Sequence, residues 1–348
     1  MAVAETNRMR AAHPEIFLLA LLVALIVLMF GSLTIGRYPV SLSEIIRSII
    51  STNPFVAARS AADQSWVVVE VIRLPRILLA CLCGMGVALA GAVMQGVFRN
   101  PLVGPEITGV SAGASLGGAS AIVLGFSTIG IVASAFSLGL TAVLLAFLLA
   151  RVTGRQSALP LVLSGIIVTG FFSSLLGLVQ TLADPTLELQ SIVYWLLGSF
   201  AGATFAKVLI VGSIMLVAGS LLLALRWRLN LLSLHDDDAR ALGINVAALR
   251  WGMLGLSSLL VAAQVSVSGG IGWVGLIVPH FARFLVGPEH SRLLPASAII
   301  GGIYVLALDD VARLMGSHEI PIGLLTSFVG APVFAFLFWR YEARGWSD

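Results

Sequence analysis

Apolar runs of about twenty residues recur along this chain from one end to the other, and they constrain its fold more than any other feature. About twenty residues of helix are needed to cross the ~30 Å hydrocarbon layer of a bilayer. Hydrophobic residues make up 58% of the 348, well above the ~45–50% of a soluble domain. The pattern predicts an all-α polytopic membrane protein with ten transmembrane helices, at 16–35, 77–98, 107–125, 128–150, 159–182, 206–225, 247–267, 271–287, 293–309 and 321–340. A further apolar stretch, Ser191–Thr204 (SIVYWLLGSFAGAT), is too short to cross and contains Gly198 and Gly202. It predicts a short extra helix, re-entrant or interfacial, on the non-cytoplasmic side. The first apolar run is longer than the 7–15 residues of a signal peptide, and no A-x-A site closes it, so it reads as a retained span.

Charge bias orients the ten spans. With an even count both termini share a side, and the loops on that side carry thirteen of the twenty basic residues. The positive-inside tendency then puts 1–15 and 341–348 in the cytoplasm. Counting 191–204 as an eleventh span would move Arg226, Arg228, Arg240 and Arg250 outside, and the bias rejects it. Two longer polar segments follow from this count, a non-cytoplasmic one at 36–72 and a cytoplasmic one at 226–246. Within the first, Ser41–Glu44 (SLSE) has the spacing of a capping box and predicts a short surface helix.

Thirty-six glycines are many for a helical chain. Apolar burial gives no gain between helices in lipid, so small residues that let backbones approach become the packing device. Gly84, Ala88, Ala92 and Gly96 fall at four-residue steps on the second span, and Gly109, Gly113 and Gly117 repeat this on the third. They predict close helix packing, with a smooth wall along a passage as the functional alternative. Ionisable residues within the spans are few. Asp309 and Asp310 lie near the outer end of the ninth, one turn before Arg313, and no acid or histidine relay runs through the membrane centre. That weakens an ion-driven transporter.

Motifs for chemistry are sparse. Gly109-Val-Ser111-Ala-Gly113 matches G-x-S-x-G, but it opens an apolar helix instead of following a strand. The histidines at 13, 235, 280, 290 and 318 share no metal-ligand spacing, and neither H-E-x-x-H nor a phosphate-binding G-x-x-x-x-G-K-[ST] occurs. Neither a catalytic nor a metal site is predicted. The net charge of +3 is spread along the chain and suggests no nucleic-acid partner. Asp236, Asp237 and Asp238 form the densest charge cluster. Consecutive residues on a helix fan out by ~100° each and do not converge on one metal. Gly243 can end the short helix that they begin.

Several motifs come in order: RLPR (Arg73–Arg76), Gly86–Gly117, WLLGSFAGA (Trp195–Ala203), ARALGI (Ala239–Ile244), GGIGWVGLIVPHFAR (Gly269–Arg283), DDVAR (Asp309–Arg313) and EIPIGLLTSFVGAPVF (Glu319–Phe334). The set resembles the FecCD-type permeases of bacterial ABC importers, which carry ferric siderophores, haem or vitamin B12. The resemblance implies one permease domain over 1–348 of the type II importer kind, in the bacterial inner membrane. Its implied partners are a second permease subunit, most simply a copy of itself, two ATPase subunits and a periplasmic substrate-binding protein. It implies no cofactor in this chain, with ATP and Mg on the ATPase.

By the same resemblance, Arg73, Arg76 and Arg313 would face the periplasm and pair with acids of the binding protein. Asn100 and Leu102 would form a cytoplasmic gate. A second gate, polar in the relatives that carry vitamin B12, corresponds here to Ala158 and Leu159, a departure that puts it in doubt or makes it apolar. The loop 226–246 would be the coupling segment. Ala239, Ala241 and Leu242 would pack in an ATPase cleft, Gly243 would allow the turn, and Asp236, Asp237, Asp238 and Arg240 would set polar contacts. The cargo order implied is ferric siderophore, then haem, then vitamin B12, with oxyanions such as molybdate also carried on this fold. An ion-coupled secondary transporter and an intramembrane enzyme are the readings from other classes.

Overall fold

A computed structural model describes residues 14–50, 64–152, 158–232, 236–315 and 319–342. Parts of the expected segments 1–15, 36–72, 226–246 and 341–348 lie outside these residues, as do His13, His235, His318 and the side chains of Ala158 and Leu159. Every regular element among the described residues is helical. The long helices are α1 (Pro14–Thr34), α3 (Leu74–Phe98), α5 (Thr128–Val152), α6 (Ala158–Leu182), α12 (Val246–Ser268), α14 (His290–Leu314) and α15 (Ile322–Glu342). Shorter ones are α2 (Leu42–Ile50), α4 (Val110–Val123), α7 (Glu188–Leu196), α8 (Phe205–Ile214), α9 (Ser220–Ala224), α10 (Arg226–Leu231), α11 (Asp236–Ala241) and α13 (Val274–Val286). A π-helical stretch, Val67–Arg73, leads into α3, and another, Met215–Gly219, joins α8 to α9.

Among the described residues, seven helical stretches are long and apolar enough to cross a membrane, and three shorter apolar helices accompany them. All ten expected spans are helical; the three short ones are α4, α13 and the apolar part of α15. The fourteen residues of α4 and thirteen of α13 reach only ~20 Å at 1.5 Å per residue. Irregular backbone precedes each of them. Before α4 runs a 3-10 turn, Pro105–Thr108. Before α13 runs the segment 269–273, which the sequence placed partly in the helix. Such backbone is tolerated at membrane depth only where protein satisfies it. Here Gln264 Nε2 donates to the Gly269 carbonyl at 2.9 Å, and the Ser199 amide donates to the Ser268 carbonyl at 2.8 Å. The nine residues of α7 cover only the first part of the expected extra helix. Gly198, at φ +76°, ends it, and the GSFAGA portion is not helical.

The bundle is organised around α3. Of its most apolar window 83% is buried inside the chain, against 17% for α1 and 22% for α6. Close crossings explain this. A Cβ on Gly84 would lie 2.3 Å from the Gly301 carbonyl oxygen of α14, and one on Gly91 would lie 1.8 Å from that of Gly275 on α13. Only glycine lets these backbones meet. On the surface, α2 begins with the expected capping box. The Ser41 amide donates to Glu44 Oε2 at 2.7 Å, and the Glu44 amide donates to Ser41 Oγ at 3.3 Å.

Candidate functional site

The two ends of the bundle differ in chemistry. At the end where α3 begins, three arginines and three acids from the π-helical stretch, α3, α14 and the approach to α15 come together against the end of α1. Arg76 grips Asp309 with Nε and Nη2, at 3.0 and 2.9 Å, and donates Nη1 to Glu319 at 2.8 Å. Arg313 pairs with Asp310 and bonds Ser32, and its Nε lies 3.3 Å from Asp309. Arg73 donates to the carbonyls of Leu33 and Tyr38. Arg73, Arg76, Arg313, Asp309 and Asp310 are all buried. The sequence expectation was three guanidinium forks turned outward to a protein partner. The fold corrects this geometry: each fork is spent inside the chain, because a buried charge without a partner is too costly to leave. Glu319, 30% exposed, is the most accessible member.

At the other end lies α11. Its three acids occupy three environments. Asp236 turns inward, accepting from Arg99 Nη2 at 2.8 Å and from Arg250 Nη2 at 3.1 Å. Burial alone would raise its carboxyl pKa, but the Arg250 and Arg99 guanidiniums outweigh that and hold it below the usual carboxylate range. Asp237 is exposed and pairs with Arg240 at 3.0 Å, and Asp238 is exposed. No group of metal-ligating side chains forms among the described residues. The Gly243 amide donates to the Arg240 carbonyl, and the Ile244 amide to that of Ala239, closing the helix with Gly243 at φ +80°.

The packing expected for α11 divides. Ala239 is fully buried against its own chain, so it is not available to a partner. Ala241 is exposed, and Leu242 is 63% exposed. Leu242, Gly243 and Ile244 rim a cleft of about 620 Å³ whose far wall includes Leu225, Arg228 and Met253.

Asn100 and Leu102 lie in the exposed turn after α3. Asn100 Oδ1 accepts from the Leu102 amide at 2.9 Å, and Pro101 and Pro105 keep the backbone from resuming a helix. Arg99 caps α3 in the left-handed region at φ 51°. The small residues at 84, 88, 92, 96, 109, 113 and 117 are all buried. Each glycine among them has a close neighbour: a Cβ on Gly96 would meet His290 Nε2 at 2.6 Å, and one on Gly117 the Ser134 carbonyl at 2.4 Å. They are packing positions and line no open passage within the chain. Ser111 sits on α4 just after the left-handed Gly109, with helix and no strand around it, so the fold gives a nucleophile elbow no support.

One feature escaped the sequence. α6 presents Gly170, Ser173, Ser174 and Thr181 on an exposed face, among the exposed apolar side chains of Leu163, Ile166, Ile167, Phe171, Leu178 and Leu182. Among the described residues, nothing beyond the helix's own turns comes within 4 Å of a Cβ at Gly170 or Gly177. The Ser174 and Thr181 hydroxyls donate to the carbonyls of Gly170 and Gly177. The exposed face of α1 is different in kind, built from Ile16, Leu19, Val23, Ile26, Val27 and Phe30. The first mixes hydroxyls and bare backbone with large apolar side chains and has no fixed charge, whereas the second is aliphatic and aromatic throughout and suits lipid tails. α15 also leaves Leu324, Phe328 and Phe336 uncovered.

The comparisons with known proteins agree in kind. A family model described as the FecCD transport family matches residues 24–340. The molybdate import system permease protein MolB of Haemophilus influenzae is 43% identical, over 97% of this chain and 99% of its own. The cobalamin import system permease protein BtuC of Halobacterium salinarum is 39% identical, over 81% of this chain and 76% of its own. A solved inward-facing conformation of an ABC transporter, assigned to the metal-chelate type, superposes with a TM-score of 0.84 at 44% identity, covering 94% of this chain and 99% of that one.

Proposed function

The chain belongs to the FecCD transport family, and from that premise we propose that it is the membrane-spanning permease subunit of a binding-protein-dependent ABC importer. The observation that carries the reading is the family match over residues 24–340, nearly the whole chain. In this reading all ten apolar helices lie in the membrane. The Arg99 end faces the cytoplasm and the Arg76 end faces outward, with both termini inside, as the basic-residue bias requires. The site is the bacterial inner membrane.

The partners follow from the uncovered surfaces. The hydroxyl face of α6 and the apolar face of α15 meet a second copy of the chain, and cargo passes between the two α6 faces. Two ATPase subunits, which hold ATP and Mg, dock beneath α11 through Ala241, Leu242 and the exposed acids. A substrate-binding protein docks at the outer end. Its contacts fall on the accessible rim of the ionic cluster, with Arg73, Arg76 and Arg313 holding that rim in shape. Asn100 and Leu102 narrow the cytoplasmic exit.

The cargo is a metal-bearing anion. Molybdate takes first place on the 43% identity with MolB over 97% of the chain, ahead of the ferric siderophore, which stands first only as the commonest cargo class of such permeases. An uncharged wall with hydroxyls among its apolar side chains offers no fixed ligand to hold a passing ion. The test is uptake into proteoliposomes holding the permease with its ATPase and binding protein, with molybdate and a ferric siderophore as cargoes. Accumulation that needs ATP and survives an uncoupler is expected, for molybdate first. Uptake abolished by the uncoupler with ATP held constant would favour an ion-coupled carrier instead.

A further inference from the structure

The inward turn of Asp236 joins two places that sequence reasoning treated separately. α11 is a helix of six residues, and its exposed side ends at Leu242. Asp236 is at its other end, about 9 Å away at 1.5 Å per residue. The Asp236 carboxylate accepts from Arg99 at 2.8 Å, and from Arg250 at 3.1 Å to one oxygen and 3.2 Å to the other. Charge-assisted bonds of this length are the strong kind. Arg250 belongs to α12, a long helix with a buried core face. Arg99 belongs to the exit turn.

On the exit side the connections run in series. Arg99 Nε donates to the Leu232 carbonyl at 2.6 Å, so its guanidinium is tied to the chain leading into α11 as well as to α11 itself. Its backbone holds the left-handed cap of α3, a conformation that a non-glycine residue adopts at a cost of ~1–2 kcal/mol. The next residue, Asn100, fixes the Leu102 amide through Oδ1. Only Asn100 and Pro101 therefore separate Arg99 from the exposed Leu102, and the steps between are a strained backbone joint and a hydrogen bond.

We propose that Asp236 is a positioning residue that passes movement of α11 to the exit turn through Arg99, with Arg250 as the fixed arm against which it turns. The inference rests on the coupling and gating roles proposed above for α11 and the exit turn. In it, a partner pressing on Leu242 rocks α11 about the Arg250 arm. Arg99 follows the carboxylate, and the left-handed cap lets the turn carrying Leu102 swing as one piece.

The test uses the full permease with its ATPase subunits and binding protein in proteoliposomes. Leu102→Cys reports the exit turn through its labelling rate with a water-soluble maleimide, with and without ATP and vanadate. The native Cys81 and Cys83 are buried and give little background. With Asp236 intact, labelling should change with nucleotide. In Asp236→Asn the change should vanish, and cargo moved per ATP hydrolysed should fall about tenfold, a coupling of ordinary size. Arg99→Gln should do the same, so that a poorly folding Asp236→Asn does not decide the matter. Combining the two should add nothing, and Asp236→Glu, which keeps the charge, should restore much of the response. Nucleotide-dependent labelling that persists in both single variants overturns the inference while leaving the importer intact. If the Asp236-intact protein hydrolyses no ATP with its partners, the importer reading falls and the inference falls with it.

Discussion

Asp309 has no exposed surface and accepts three bonds from two nitrogens of Arg76, with Arg313 close behind. Removing one partner of such a pair leaves an uncompensated charge in a low-dielectric site, which costs more than the pair contributes net. Asp309→Ala should therefore lose ~3–5 kcal/mol of unfolding free energy in detergent or bicelles, by denaturant titration. Glu319→Gln should lose at most ~1 kcal/mol, because solvent screens the accessible Glu319 carboxylate. Equal losses in the two variants would contradict this ranking of the cluster. The same contrast explains why the arginines were misread. RLPR and DDVAR are 233 residues apart between Arg76 and Asp309, and nothing local in either motif shows that one answers the other. A short motif reveals that an arginine sits near the end of an apolar helix. Whether its fork points at solvent or at an aspartate is decided by how α3 and α14 cross.

That crossing is itself written in small residues, and here the sequence was a good guide. Gly84, Ala88, Ala92 and Gly96 recur every fourth residue because α3, buried on nearly every side, comes closest to its neighbours along that stripe. Yet Gly170, Ser173, Ser174, Gly177 and Thr181 on α6 form much the same pattern and bury nothing within the chain. Periodicity tells which residues share a helix face. It does not tell whether that face meets a helix of the same chain, a second subunit or a passage. Alanine separates the cases. At Gly84 a new methyl would sit 2.3 Å from the Gly301 carbonyl, and overpacking of this kind costs ~1–3 kcal/mol. At Gly177 the same methyl meets nothing within the chain, and alanine's better helix propensity offers up to ~1 kcal/mol of gain. Unfolding of the two variants in detergent should show a loss for the first and no loss for the second. A comparable loss at both would mean that α6 is packed more closely than the single chain shows. The lengths of α4 and α13 were less legible for a related reason. Their hydropathy runs into Pro105–Thr108 and Gly269–Trp273, and hydropathy does not register that this backbone is irregular.

For the molecule as a whole, the two kinds of exposed helix face make opposite demands on their surroundings. A helix in lipid gains nothing by presenting serine, threonine and bare glycine, although hydroxyls bonded to their own backbone are tolerated there. A helix beside a water-filled passage gains solvation of those same groups. If α6 lines the route of cargo between two copies of the chain, water reaches it from within the membrane. Cysteines placed at Ser174 and Thr181 should then react with a water-soluble thiol reagent in intact proteoliposomes. Cysteines at Val23 and Val27, on the aliphatic face of α1, should not react. All four positions lie on long apolar helices, so hydropathy predicts the same reactivity for each. The buried Cys81 and Cys83 set a low baseline. Reaction on α6 that slows as cargo is added would place the cargo against that face, since a bound anion excludes reagent there but not from the rest of the surface. Equal silence at all four positions would assign the α6 face to lipid or to a dry interface, and the passage would then have to run elsewhere in the assembly.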